Sequence, residues 1–246
     1  VMAKGRTTIS NCATEPEIID MADFLIKAGA KISAAGSDTI VVEGVDCLKG
    51  VEHRVIPDRI EAGTFMLAVA GTGGKCRINN VISEHIKPII LKLKEMEVDV
   101  EEFENSVIVS SEGNVVNTDI KTMPYPGFPT DMQAQFTALM AKGIGTGVVN
   151  ETVFENRFMH IGELKKMGAN ISVEGRTAVV RGVEALAGAE VEATDLRAGA
   201  ALIISALAAE GTTEIGHIHY IDRGYEMIEK KLKSVGCDIK RVRSEE

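Results

Sequence analysis

One short pattern, which closes a helix and opens a strand, returns four times along this chain and constrains its fold more than any other feature. It stands at Ala28-Gly29-Ala30-Lys31-Ile32, Met96-Glu97-Val98-Asp99-Val100, Met167-Gly168-Ala169-Asn170-Ile171 and Val235-Gly236-Cys237-Asp238-Ile239, a period of about 70 residues. Gly fills the helix C-cap position in three copies, and Glu97 replaces it in the second. A second recurrence keeps step with the first. Asp58, Asp131 and Asp195 each open an Ala-rich segment that leads into a Gly-containing turn and a β-branched strand.

The last copy is the clearest. Residues 198–209 are apolar almost all round, as a helix buried on every side must be, and Gly211-Thr212-Thr213-Glu214-Ile215 reads as a turn plus a strand. An amphipathic helix follows, with Ile221, Tyr225, Ile228 and Leu232 on one stripe; Gly236 stops it, and residues 239–242 read as a strand. Residues 65–70 and 136–141 repeat the buried helix, Phe24 and Leu25 lie on a half-exposed one, and residues 107–109 and 179–181 add strands. Such a unit cannot bury both faces of its sheet alone, so several copies pack with their buried helices inward. The expectation is an α/β repeat domain with internal pseudo-threefold symmetry over residues 57–246, its last unit incomplete. Residues 1–56 read as the tail of a preceding domain of the same kind, with residues 51–57 as the crossing. The opening Val1-Met2-Ala3-Lys4-Gly5 reads as a helix end running into a turn, so the N-terminal side is expected to be missing.

Charge narrows the function. A net charge of -9 opposes binding to nucleic acid or an acidic membrane surface, so any anionic ligand must meet locally placed arginines. Cys12, Cys47, Cys76 and Cys237 are scattered without metal-ligand spacing, which fits structural thiols in a reducing cytosol. No signal-peptide pattern opens the chain, and residues 198–209 are too short to span a bilayer. A cytoplasmic protein is expected.

The most unusual segment is Met123-Pro124-Tyr125-Pro126-Gly127-Phe128-Pro129-Thr130-Asp131-Met132-Gln133. Its prolines fix an extended loop directly before a helix, with Thr130 as the expected N-cap and Gln133 completing a capping box. Such a loop aims Asp131, whose carboxylate, in the positive field of a helix start, stays ionised and can accept a proton. Asp58 and Asp195 hold the same place in their repeats, where an Asp is also a common stabilising choice. Arg157, Arg197 and Arg223 each stand at an expected helix start beside an acidic neighbour, where guanidinium groups could converge on phosphate or carboxylate. Exposed arginines in ordinary ion pairs are the plainer alternative. Gly71-Thr72-Gly73-Gly74-Lys75 lacks the spacing of a phosphate loop and reads as a turn, Asp58-Arg59-Ile60-Glu61 reads as a structural capping box, and His53, His85, His160, His217 and His219 complete no metal set. No metal or other cofactor is expected.

Five segments carry a resemblance. Glu15-Pro16-Glu17-Ile18, Val55-Ile56-Pro57-Asp58-Arg59-Ile60-Glu61-Ala62-Gly63-Thr64, Pro126-Gly127-Phe128-Pro129-Thr130-Asp131, Phe154-Glu155-Asn156-Arg157-Phe158 and Tyr220-Ile221-Asp222-Arg223-Gly224-Tyr225 resemble, in order, motifs from the C-terminal part of the UDP-N-acetylglucosamine enolpyruvyl transferase family. The resemblance implies two inside-out α/β barrels of βαβαββ units closing around the substrates. It implies transfer of the enolpyruvyl group of phosphoenolpyruvate to the 3-hydroxyl of UDP-N-acetylglucosamine, with release of phosphate, by addition and elimination, as the first committed step of peptidoglycan synthesis. On that footing Asp131 would be the base near the sugar hydroxyl and Val153 would contact the UDP-sugar. Arg157, Arg197 and Arg223 would surround phosphoenolpyruvate, Arg223 most directly, with Asp195 pairing with or orienting it.

The family's N-terminal Lys-Asn pair, its mobile loop with a reactive Cys and nearby Arg, and its uracil-holding motif have no counterpart in this sequence. None of the four cysteines inherits the catalytic role, and the chain is expected to be inactive alone. Residues 1–56 would leave apolar faces uncovered, so self-association or disorder is expected there. Two other readings stand beside this one: the shikimate-pathway enolpyruvyl transferase, which shares fold and reaction type, and a non-catalytic repeat module that only binds.

Overall fold

The computed structural model describes residues 1–242, which fall into four related stretches. The first comprises β1 (Arg6–Ser10), α1 (Pro16–Lys27), β2 (Lys31–Ser33) and β3 (Thr39–Glu43), its strands antiparallel in the order β1-β3-β2. The second runs through α2 (Arg59–Thr72), β4 (Gly74–Asn79), α3 (Lys87–Glu95), β5 (Asp99–Phe103) and β6 (Ser106–Ser111), with sheet order β4-β6-β5. The third holds β7 (Ile120–Lys121), α4 (Gln133–Ala141), β8 (Thr146–Asn150), α5 (His160–Lys166), β9 (Asn170–Glu174) and β10 (Thr177–Arg181), in the order β7-β8-β10-β9. The fourth holds β11 (Glu190–Glu192), α6 (Leu196–Ala208), β12 (Glu214–Gly216), α7 (His219–Asp222) and α8 (Ile228–Ser234), with β11 and β12 parallel.

Among the described residues only the third stretch is a full βαβαββ unit. The second lacks an opening strand, and the strand expected at residues 239–242 is not formed, because no described strand lies beside it to complete a ladder. The four sheets are separate ladders, and no hydrogen bonding closes them into a barrel among the described residues.

The three apolar helices do pack against one another: α2, α4 and α6 meet pairwise, and every residue of α4 is buried. Met66, Leu67, Phe136, Met140, Leu202 and Ile204 from these helices share one core. Burial of each such large side chain contributes about 1.5–3 kcal/mol. Phe128 of the proline-rich loop stacks edge-on against Phe136, ring centroids 4.9 Å apart, and so seats that loop on α4.

The recurring helix terminator has one conformation in all four copies. Gly29, Gly168 and Gly236 take φ of 107°, 93° and 101°, and Glu97 is held at 64°. Glu97 therefore accepts a left-handed backbone that favours glycine.

The amphipathic helix expected through Ile221, Tyr225, Ile228 and Leu232 is broken in two. Met227 adopts a left-handed φ of 45° between α7 and α8. All four apolar residues are nonetheless buried, since the stripe records contact with the core and not continuity of the backbone. Residues 1–5 form a bend before β1, with Val1 and Gly5 carbonyls accepting from Val45 and Gly44, rather than a helix end. The first stretch joins the rest through polar contacts: Glu17 of α1 pairs with the buried Arg59 at 2.8 Å, and the Thr14 hydroxyl donates to the Tyr125 carbonyl at 2.9 Å. Burial raises the Glu17 carboxyl, but Arg59 more than offsets this and holds it below its ordinary range. No described helix is long and apolar enough to cross a membrane.

Candidate functional site

The site forms where the loop before α4, the loop before α5 and the start of α6 meet. Thr130 does not cap α4. Residues Thr130–Met132 make a 3₁₀ turn ahead of the helix, no side chain caps either element, and Gln133 is buried instead of reaching back. The reason is a stronger partner. The Thr130 hydroxyl donates to Glu151 Oε2 at 2.8 Å and accepts from Arg157 Nη1 at 2.7 Å, both charge-assisted bonds.

Asp131 is thereby turned away from the helix backbone and toward two arginines. Arg157 Nη2 lies 2.7 Å from Oδ1, and Arg197 Nη2 lies 3.2 Å from Oδ2. Burial raises the Asp131 carboxyl, but Arg197 and Arg157 together outweigh it and hold it below the usual carboxylate range. Arg197, two residues into α6, is pulled down by burial and pushed up further by Asp131 and the Tyr225 hydroxyl beside it, so it stays charged. Arg157 lies in the loop three residues before α5, its guanidinium 4.5 Å above the Phe154 ring.

Behind Arg197 the Tyr225 hydroxyl is almost fully buried, 2.8 Å from Thr64 Oγ1 of α2 and 3.5 Å from Gln135 Nε2 of α4. Burial raises its phenol above the ordinary value. His160, the first residue of α5, is buried and pulled down to about 4 by desolvation, with Asp195 opposing and Arg157 adding to that shift.

The other expected site residues are placed differently. Asp195 is the N-cap of α6, its Oδ1 accepting from the Arg197 and Ala198 N–H groups at 2.8 and 3.0 Å, and among the described residues it makes no ion pair with Arg223. Asp58 caps α2 in the same way. Arg223 is exposed and stands at the C-terminal end of α7, not at a helix start, because that helix begins at His219 and ends at Asp222, with no helix resuming before Ile228. Val153 is 43% exposed on the rim, its N–H donating to Glu151. Among the described residues no group of three or more His, Cys, Asp or Glu is arranged to hold a metal ion.

Three residues at the site went unread in the sequence: Glu151, Tyr225 as a polar anchor, and Thr64. Glu151 follows β8 as a single acidic residue among polar neighbours, and only its burial in the fold distinguishes it. Tyr225 was visible as an apolar stripe member, and its hydroxyl gave no pattern.

Arg157 and Arg197 thus clamp one carboxylate on a frame of packed α/β units. The chain belongs to the EPSP synthase (3-phosphoshikimate 1-carboxyvinyltransferase) family, whose model matches residues 1–232. Within that family it is 58% identical over 241 residues to UDP-N-acetylglucosamine 1-carboxyvinyltransferase 1 of Caldanaerobacter subterraneus, covering 98% of this chain and 58% of that protein. It is 56% identical over 244 residues to UDP-N-acetylglucosamine 1-carboxyvinyltransferase 2 of Carboxydothermus hydrogenoformans, with the same coverages of 98% and 58%. The solved enolpyruvyl transferase NikO from Streptomyces tendae superposes with a TM-score of 0.85 at 28% identity, over 97% of this chain and 57% of that one. An EPSP synthase from Acinetobacter baumannii shares the fold at 18% identity, with a TM-score of 0.74 over 98% of this chain and 59% of that one. The chain thus spans 58% of the length of the curated relatives it matches.

Proposed function

We propose that this chain supplies part of a UDP-N-acetylglucosamine enolpyruvyl transferase, which moves the enolpyruvyl group of phosphoenolpyruvate onto the 3-hydroxyl of the sugar and releases phosphate. The observation that carries the reading is Asp131 held between Arg157 and Arg197, in a chain 58% identical to a relative so named. Asp131 is the base for the sugar hydroxyl, Val153 contacts the UDP-sugar, and Arg157, Arg197 and Arg223 receive the anionic substrate, with Asp195 orienting Arg223 once the cleft is closed. The clamp suits this chemistry. An anion on the arginines neutralises the charge that holds Asp131 down, so its basicity rises when substrate is in place. The guanidinium groups then stabilise the departing phosphate.

On this reading residues 57–246 form the second domain, an inside-out barrel around α2, α4 and α6, and residues 1–56 belong to a first domain. Both core clusters of buried residues begin no earlier than Ile60, which supports that boundary. The protein acts in the cytoplasm. Ile19, Met21, Phe24 and Ile26 expose apolar surface on α1, and the chain alone self-associates through it; sizing in solution that returns a monomer counts against this.

The test is phosphate release from phosphoenolpyruvate with UDP-N-acetylglucosamine, comparing this chain with one completed to the length of its relatives, each with and without Asp131→Ala. Activity in the completed chain alone, abolished by the substitution, is expected. A folded, completed chain without activity favours a binding module, and activity only with shikimate 3-phosphate favours the shikimate-pathway reaction.

A further inference from the structure

Glu151, 1% exposed, is a carboxylate beside the site that the reading above leaves without a role. Four donors converge on it. Oε1 accepts from Thr122 Oγ1 at 2.8 Å, the Val153 N–H at 2.9 Å and the Phe154 N–H at 3.0 Å, while Oε2 accepts from Thr130 Oγ1 at 2.8 Å. No cation touches it among the described residues. A buried carboxylate without a paired cation is costly, and hydrogen bonds from neutral groups are what make it tolerable here.

We propose that Glu151 is a positioning residue for the Asp131–Arg157 pair: as an acceptor-only group it fixes the direction of the Thr130 hydroxyl, and through that hydroxyl the Arg157 guanidinium. The argument is one of hydrogen counting. Arg157 Nη1 can only donate, so Thr130 Oγ1 accepts there and its single proton points at Glu151 Oε2. The Val153 and Phe154 backbone groups can only donate to the other oxygen. Both oxygens of residue 151 must therefore accept. A glutamine fails in either orientation, since its NH₂ meets two backbone N–H groups or a hydroxyl whose proton has nowhere else to go.

The same carboxylate ties three segments together. Thr122 and Thr130 flank the proline-rich loop, and Val153 and Phe154 begin the loop that carries Arg157. Arg157 rests on Thr130, on the Phe154 ring and on Asp131, and the first two of these supports run through Glu151. The charges facing Asp131 are Arg157 and Arg197, with Glu17 of α1 acting at longer range, so a displaced Arg157 leaves one of two cations.

The experiment follows the Asp131 carboxyl by carbon-13 NMR through an acid titration in this chain, as wild type, Glu151→Gln, Thr130→Val and the double variant. Asp131 is expected to titrate below the ordinary range in the wild type and to move upward in each single variant, with the double variant moving no further than either. An unmoved Asp131 in a folded variant, or additive shifts in the double, overturns the proposal. Should Glu151→Gln fail to fold, Thr130→Val carries the test, because it removes the relay and keeps the carboxylate's other bonds. In the completed protein the idea rests on the function proposed above: kcat falls about 10²-fold in Glu151→Gln, and the acid limb of its pH–rate profile moves to higher pH, which loss of stability alone does not cause. A completed protein with no enolpyruvyl transfer would sink the functional reading and leave the NMR titration to decide the role of Glu151.

Discussion

Asp131 and Asp195 open the buried helices of adjacent units, and the fold uses them in opposite ways. Asp195 turns back onto α6 and satisfies two of its N–H groups, as Asp58 does on α2. Asp131 caps nothing. A 3₁₀ turn set by the proline-rich loop comes before α4, and the carboxylate faces Arg157 and Arg197. The two helix starts show how a repeat can yield a site: the copy that gives up its cap leaves a carboxylate at the same place in the fold with its charge directed outward.

The sharpest way to break this comparison is to remove both carboxylates in turn. In the completed protein Asp131→Ala should lower enolpyruvyl transfer by about 10²- to 10⁴-fold, the range for a lost general base, measured as phosphate release. A smaller loss than that from Asp195→Ala would leave the contrast without catalytic meaning.

Acid should reveal His160, which lies between the two starts and feels Asp195 and Arg157 with opposite sign. Its folded value is lowered from 6.5 to about 4, so the unfolded chain takes up the proton first. Stability then falls as pH drops below 6.5 and levels off near 4, a loss of about 3 kcal/mol. Denaturant unfolding at pH 7 and pH 4.5 checks it, and His160→Gln should flatten that dependence. Asp131, whose folded value is also lowered, stabilises above its unfolded value and loses this at still lower pH.

The caps come next in size. Asp58→Ala and Asp195→Ala should each cost about 1 kcal/mol in denaturant unfolding, with Asp131→Ala showing no loss of a cap. The smallest effect lies at the helix terminators: Glu97→Gly should stabilise by about 0.5–1 kcal/mol, seen as a raised denaturant midpoint with unchanged slope.

What the sequence made legible was whatever repeats or breaks a repeat. The buried helices, the four terminators and the odd proline-rich loop could all be read because burial and left-handed turns demand particular residue types at fixed spacing. Asp131, Arg157 and Arg197 stand out as candidates by their position in the repeats, and the fold brings them together. The cap expected at Thr130 fails because local capping rules do not include a partner 21 residues away, and the helix start expected at Arg223 because the break after α7 leaves no trace in the apolar stripe. Glu151 had no signal at all: its burial and its four partners are properties of the folded chain.

The Tyr225 hydroxyl receives one side chain from each of the three buried helices, Thr64, Gln135 and Arg197. A phenol has one proton to give and two lone pairs to offer. Thr64 already donates to the Ile60 carbonyl, so it takes the phenol's proton while Gln135 points its own inward and the Arg197 charge lies beside the oxygen. Three neighbours that could only donate, or only accept, would not satisfy such an atom. At the centre where three like helices meet, their side chains therefore take unlike parts toward one oxygen, Thr64 accepting and Gln135 donating.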